Sequence, residues 1–137
     1  MPKKVSLKEV QALTDKWIPR LGLQAWHIET VVEALDDDSF SAKLRRNDQT
    51  LRATIVVSSS FYEYDNTSIS RPDLEREVVH ELLHAAFAEI VLGAVDAVST
   101  LAGDGTVGQA WHKRLEVAEQ RLCEQIAINL VRWDRGE

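Results

Sequence analysis

The sequence contains a single cysteine, Cys123, and only three prolines in 137 residues. One cysteine cannot form a disulfide within the chain, so the fold does not depend on a disulfide framework. The chain also lacks any block rich in lysine and arginine, and its 16 basic residues against 22 acidic ones give a net charge of −6. This balance argues against binding to nucleic acid through attraction to phosphates.

No hydrophobic run is long enough to predict a membrane-spanning helix. The most apolar stretch, residues 85–102, is interrupted by Glu89, Gly93 and Asp96, whereas a spanning helix needs about 20 predominantly apolar residues. The N-terminal residues also lack the apolar core of a secretory signal. We therefore expect a protein of the reducing cytoplasm, with neither a membrane nor a nucleic acid as partner. Nothing in the sequence indicates the oligomeric state.

The composition is that of one ordinary globular domain over residues 1–137, with 45% hydrophobic and 28% charged residues. A chain of this length buries roughly two-thirds of its unfolded surface, so it can fold without a structural metal. A bound metal is therefore expected to have a functional role.

The spacing of apolar residues predicts an α+β domain. Helical spacing over residues 6–18 gives an N-terminal helix, and alternation over 26–32, 40–45 and 51–57 gives three strands. Because the connections between these strands are short, we expect a three-stranded antiparallel meander. Helical spacing returns in a helix that begins near Pro72 and runs to Gly93, and in a long final helix over 109–133. The small, glycine-rich residues 94–108 predict a mobile connection, and the sequence does not show whether it forms a lid.

The first of these two later helices carries the motif His80-Glu81-Leu82-Leu83-His84. Histidines four residues apart lie one helical turn apart on the same face, so both imidazoles can reach one ion. Zinc binds such nitrogens at about 2.0 to 2.1 Å. Glu81 points sideways from this pair, which suits a general base that contacts water without binding the metal. A chain of this length contains the pattern by chance about once in a hundred, so an accidental match is the alternative.

Two histidines leave zinc short of the three protein ligands of a hydrolytic site, so the third is expected on the final helix. One apolar face of that helix, about 100° wide, contains a carboxylate, Glu119, among five other residues: Leu115, Leu122, Cys123, Ile126 and Leu130. A buried carboxylate needs a compensating cation, which zinc would supply. Glu116 and His112 remain alternatives, Cys123 is a weaker one, and Glu124 points roughly to the opposite side.

The motif helix, followed by Glu119-Gln120 and Ile126-Ala127 on a closing helix, resembles a small zincin. It is most similar to the minimal gluzincin-like metallopeptidases of phages and prophages, which share a layout with the ImmA/IrrE and SprT-like groups. The similarity in layout covers most of the chain, whereas the specific sequence motif covers five residues. The resemblance implies zinc bound by His80, His84 and Glu119, with Glu81 as the base. The chain lacks the glycine that metzincins place after the motif.

The function expected from these residues is zinc-dependent hydrolysis of peptide bonds in a peptide or protein substrate. An edge strand can hold an extended peptide by main-chain pairing. The alternative is a phage-derived binding or assembly protein that keeps the fold and cleaves nothing. An open groove with a free coordination position favours hydrolysis, whereas a closed four-ligand site favours the alternative.

Overall fold

Strands and helices follow one another in separate runs along the chain, as is typical of an α+β domain. In the structure, a computed structural model, residues 4–35, 42–61 and 73–137 are described. They form α1 (Leu7–Arg20), β1 (His27–Glu33), β2 (Ala42–Asn47), β3 (Arg52–Ser58), α2 (Leu74–Ala86), α3 (Ala88–Ala102) and α4 (Thr106–Asp134). The predicted α+β class is confirmed. Residues 40 and 41 of the second predicted strand, and Pro72 at the predicted start of the motif helix, lie outside the described ranges.

The sheet is mixed, so the prediction of a purely antiparallel meander was wrong. Its strand order is β1-β3-β2, with β2 antiparallel to β3 and β1 parallel to β3. The reason lies in β3, where Ile55, Val56 and Val57 are all fully buried. A strand that is apolar on both faces takes the central position, and the more polar β1 and β2 become the two edges.

Helix α2 lies at the centre of the molecule and carries the motif. Ten of its 13 residues are buried, because it packs against α1, β2, β3 and α4. Its apolar residues join the core with the inward residues of the sheet, of α1 and of α4: Val10, Trp17, Ile55, Val57, Val78, Leu82, Cys123, Ala127 and Val131. Because α2 is closely packed on several sides, the polar residues of its motif are held at fixed positions facing β2 and α4.

The N-terminal end of α2 is tied to α1 and to the end of α4 by charged groups. Glu75 accepts hydrogen bonds from Lys16 Nζ at 2.6 Å and from the Trp17 indole at 2.8 Å. Arg135 donates to Glu75 at 3.2 Å and to Asp73, the N-cap of α2, at 2.7 Å. These bonds hold the C-terminal end of α4 beside the start of α2, which fixes the register of the two helices.

The segment 94–108, predicted as a mobile connection, is mostly helical. Residues up to Ala102 belong to α3, because α3 packs along the first half of α4. The glycines are confined to the turn between these helices, where Gly103 has a φ of +71°. A Cβ on Gly108 would lie 1.8 Å from the Gly103 carbonyl oxygen, so only glycine allows this close approach. The turn therefore forms a helical hairpin from α3 and α4.

Within the described ranges, no single helix is both long and apolar enough to cross a membrane. Helices α2 and α3 reach the necessary length and composition only as a pair, and the pair is bent by 54°.

Candidate metal centre

The two motif histidines face each other on α2. His80 Nε2 and His84 Nε2 are 3.2 Å apart, and both residues are buried. Two nitrogens bound to one tetrahedral zinc ion at about 2.0 to 2.1 Å are separated by about 3.3 to 3.4 Å. Burial lowers the pKa of His84, which keeps its imidazole neutral, the form that binds metals. The spacing of the pair therefore fits two ligands of a single ion.

Glu124 on α4 orients His80. The Nδ1–H group of His80 donates to Oε2 of Glu124 at 2.8 Å, which leaves the Nε2 lone pair available for a metal. A carboxylate in this position fixes the tautomer and the ring orientation of a ligand histidine. The expectation that Glu124 points away from the site was wrong, because α4 contacts α2 over a wide arc. Gln120, four residues earlier on the same face, has its Oε1 atom 3.0 Å from His80 Nε2. This contact is a hydrogen bond only when Nε2 carries a proton, and an ion bound to Nε2 would replace it.

Glu119, the first candidate for a third ligand, lies beside His84. Its Oε1 atom is 3.2 Å from His84 Nδ1 and 3.8 Å from Nη1 of Arg46. Neither contact meets the geometry of a hydrogen bond, so this oxygen has no hydrogen-bond partner among the described residues, although the charge of Glu119 opposes the lowering of the His84 pKa. An unsatisfied buried carboxylate oxygen is costly. Its chemistry therefore fits a cation ligand.

The carboxylate of Glu119 contacts Nδ1 of His84 rather than the Nε2 atom that faces His80. Accordingly, residues 4–35, 42–61 and 73–137 contain no group of three His, Cys, Asp or Glu side chains already arranged around one point. Three-ligand coordination therefore requires the Glu119 side chain to turn. The two histidines fit an ion as they stand, and the partly buried carboxylate of Glu119, 3.2 Å from His84, is the candidate third ligand.

Glu81 is buried next to this pair and carries the perturbed pKa expected of a proton-transfer group. Burial raises its pKa to about 7, opposed by the charge of His80 and by a hydrogen bond from the Leu44 backbone, and supported by Glu77 and Glu119. A general base with a pKa near 7 can accept and release a proton at neutral pH. The contact with Leu44 places Glu81 against the edge strand β2.

Arg46, on β2, was not singled out by the sequence. Its Nη1 atom donates to the backbone carbonyl of His84 at 2.9 Å, and its Nε atom lies 3.2 Å from Asp48. Alternation from Ala42 and Leu44 places residue 46 on the inward face of the strand. The sequence could have indicated Arg46 as a site residue, because it is a charged residue at an inward position of a strand.

These groups border a cavity of about 450 Å³. Its walls come from β2, α2 and α4, through Ala42, Lys43, Leu44, Arg46, Glu77, His80, Glu81, His84, Glu119 and Gln120. A volume in this range matches the clefts that hold small molecules or a few residues of a peptide. Formed by described residues only, the site is a partly open groove beside an edge strand of the described sheet.

The other candidate ligands lie elsewhere or face the wrong atom. Glu116 is exposed and contacts Lys113 at 3.5 Å. His112 faces α3, where its Nε2 atom is 3.3 Å from the Ser99 hydroxyl. Cys123 is buried, with its sulfur 3.8 Å from His84 Nδ1, and burial raises the pKa of this thiol to about 12, which disfavours the thiolate needed for metal binding.

Leu122 departs from the apolar face predicted for the final helix. It is 51% exposed, whereas Cys123, Ala127 and Val131 form the buried line of α4. The face that meets α2 is therefore shifted away from Leu122 and toward Gln120 and Glu124. The same shift explains why Glu124 reaches His80.

Comparison with protein-family models, with curated proteins and with solved structures found no match to this chain.

Proposed function

We propose that this protein is a zinc-dependent hydrolase of peptide bonds. The observation that carries the proposal is the pair of buried histidine Nε2 atoms 3.2 Å apart, beside a buried Glu81. His80 and His84 would hold the ion, and Glu119 is the proposed third ligand. Bound zinc supplies Lewis acidity, which polarises a carbonyl group and lowers the pKa of water.

Residues of the chain itself carry out the proton transfers and hold the ligands in place. Glu81 takes a proton from the attacking water and passes it to the leaving amine. Glu124 holds the His80 ring in its tautomer through the 2.8 Å hydrogen bond. Arg46 fixes the end of the motif through the His84 carbonyl, at 2.9 Å. The pKa of about 7 at Glu81 suits both proton transfers at neutral pH.

The position of β2 supports a peptide or protein as the substrate. This strand pairs only with β3 in the described sheet, so its other side borders the cavity. An extended peptide can add to such an edge through main-chain hydrogen bonds. The open groove favours hydrolysis over the alternative of a binding protein with a closed metal site. The single buried cysteine supports the cytoplasm as the place of action.

Metal content tests the proposal most directly. We expect purified protein to retain about one zinc ion per chain, and His80→Ala to lose it, because one imidazole with a distant carboxylate binds zinc weakly. Elemental analysis after dialysis measures both. Glu116→Gln is the matched control, since Glu116 is exposed outside the cavity, and it should keep its zinc. Equal and negligible zinc in the wild-type and His80→Ala proteins would remove the proposal.

Glu124→Gln tests the orienting hydrogen bond separately. We expect zinc affinity to fall by about 10- to 100-fold, because loss of such a partner frees the ligand imidazole to rotate and change tautomer. Competition with a chromophoric chelator measures the change, with Glu116→Gln again as the control. An affinity equal to that of the wild type would show that Glu124 has no orienting role.

A further inference from the structure

Eight of the nine large apolar side chains that are exposed in the described part of the chain belong to α3 and α4. Leu92, Val117 and Trp133 are three of them. The other five are Ile90, exposed by 72%, Leu101 by 87%, Val107 by 62%, Trp111 by 49% and Leu122 by 51%. Only Ala88 is buried among the 15 residues of α3. Large apolar side chains in such number are not needed to hold α3 on α4, so they require another explanation.

These five side chains lie on one side of the hairpin. On α3 the stripe is Ile90, Ala94, Ala97 and Leu101, and on α4 it is Val107, Trp111, Ala118 and Leu122. When each helix is viewed along its axis from its N-terminus, its stripe lies about 100° from the line of contact with the other helix, and the direction of this rotation is the same for both helices. Because the helices are antiparallel, these rotations bring both stripes to the same side. We call these eight residues the hairpin face.

The hairpin face points away from the candidate metal centre. Gln120, Cys123 and Glu124, which meet α2, lie on the opposite side of α4. Among the residues that the structure describes, no helix or strand packs on the face, since α3 contacts only α4 and the end of α2. The eight residues of the face include no charged side chain. Arg114 lies on the same side of α4, between Trp111 and Ala118, with its guanidinium 5.3 Å from the Trp111 ring.

We propose that the hairpin face is the dimer interface between two copies of this chain. Its apolar side chains expose on the order of 700 Å², more than the roughly 300 to 600 Å² of the largest patch on a typical monomer. A standard interface buries about 800 Å² on each partner, so this face is large enough for a two-fold dimer.

The order of residues along α3 is self-complementary. Consider a two-fold axis that lies in the interface and crosses α3 midway between Ala94 and Ala97. Rotation about this axis places Ile90 against Leu101 of the second copy and Ala94 against Ala97. The large side chains therefore meet at the two ends, and the small ones let the backbones approach at the centre.

The same axis gives a complementary arrangement along α4. It crosses this helix near Arg114, at about the same height as the centre of α3, because the two points lie about equally far from the turn. The two Arg114 side chains then lie close to the axis, where each guanidinium contacts the Trp111 ring of its own copy. Val107 then meets Leu122 of the second copy, and the large Trp111 ring meets the small Ala118. Matching large with small residues allows close packing of the two copies.

Sedimentation equilibrium of the full chain at about 50 μM tests the dimer. We expect twice the 15.5 kDa mass of one chain, and we expect Leu101→Glu to weaken association at least 100-fold, because a carboxylate would be buried in the interface. Leu101 is exposed in the single chain, so this variant should fold. Leu7→Glu, which changes a 52% exposed residue on α1, is the control and should remain a dimer.

A pair of double variants tests the antiparallel arrangement. Ile90→Lys combined with Leu101→Glu places opposite charges together across the axis and should restore most of the dimer. Ile90→Glu combined with Leu101→Glu places like charges together and should stay monomeric. A monomeric wild-type chain at 50 μM, including one that instead binds phosphatidylcholine vesicles, would overturn the proposal, as would a Leu101→Glu dimer of unchanged stability.

Discussion

Replacing Glu81 by Gln is expected to slow peptide hydrolysis by about 10²- to 10⁴-fold while leaving the zinc content unchanged. That range is what a positioned general base contributes. Glutamine keeps the shape of the side chain and its hydrogen bond from the Leu44 backbone, but it cannot accept the proton of the attacking water. The loss should appear in kcat, because the group acts on the reacting atoms rather than on substrate binding.

The measurement uses a library of quenched fluorescent peptides and the zinc content of the same samples. Glu116→Gln is again the matched control, because it removes a carboxylate that is 63% exposed outside the cavity. Unchanged turnover in a zinc-loaded Glu81→Gln protein would exclude Glu81 as the base. Loss of zinc together with turnover would instead assign Glu81 to metal binding.

The same substitution is expected to stabilise the metal-free protein at pH 8 by up to about 3 kcal/mol. Burial raises the pKa of Glu81 from its ordinary 4.5 to about 7 in the folded state. Between these two values the folded protein holds the proton more tightly than the unfolded chain. The ionising carboxylate therefore costs stability as the pH rises through this window, and the cost is complete above pH 7. Glutamine is never ionised and avoids it.

Urea unfolding in a chelator at pH 5 and pH 8 measures this effect. At pH 5 the folded carboxyl group is protonated, so the difference between the two proteins should fall below about 1 kcal/mol. Comparing the two proteins at each pH cancels the titration of the other groups. A difference that does not change with pH would show that the pKa of Glu81 is not raised by folding.

The motif helix and its histidine pair could be predicted because they depend on local spacing. A separation of four residues on a helix fixes the direction of His80 and His84 whatever surrounds them. The periodicity of α4 also predicted that Glu119 points inward, and its side chain is only 14% exposed. The approach of Glu119 to Nδ1 of His84 could not be predicted, because a side-chain rotamer depends on neighbours such as Arg46 that come from another element.

The strand order could not be predicted from short connections. Local sequence shows where a strand lies, but its partner is decided by which strand is apolar on both faces. Here β3, with Val56 buried opposite Ile55 and Val57, lies between the other two. The central position of β3 does not by itself fix the direction of β1, which runs parallel to β3.

The extent of α3 was missed for a different reason. Ala94 and Ala97 favour a helix, but the three glycines at positions 103, 105 and 108 favour a loop and were given too much weight. The helix continues to Ala102, and the glycines come after it. Glu124 was missed because a single apolar stripe of about 100° underestimates the arc over which two packed helices touch.

The tight turn at Gly103 and Gly108 reduces the conformational entropy that the chain loses when the candidate site assembles. His80 and Glu124 are 44 residues apart in sequence, and closing a flexible loop of that length opposes folding. The turn lets α3 and the first half of α4 pair through contacts close in sequence, which form fast. In the folded protein the paired helices replace a flexible loop by a rigid arm that ends beside the histidines. The entropy cost of bringing Glu119 and Glu124 to α2 is therefore shared with the contacts that hold the hairpin.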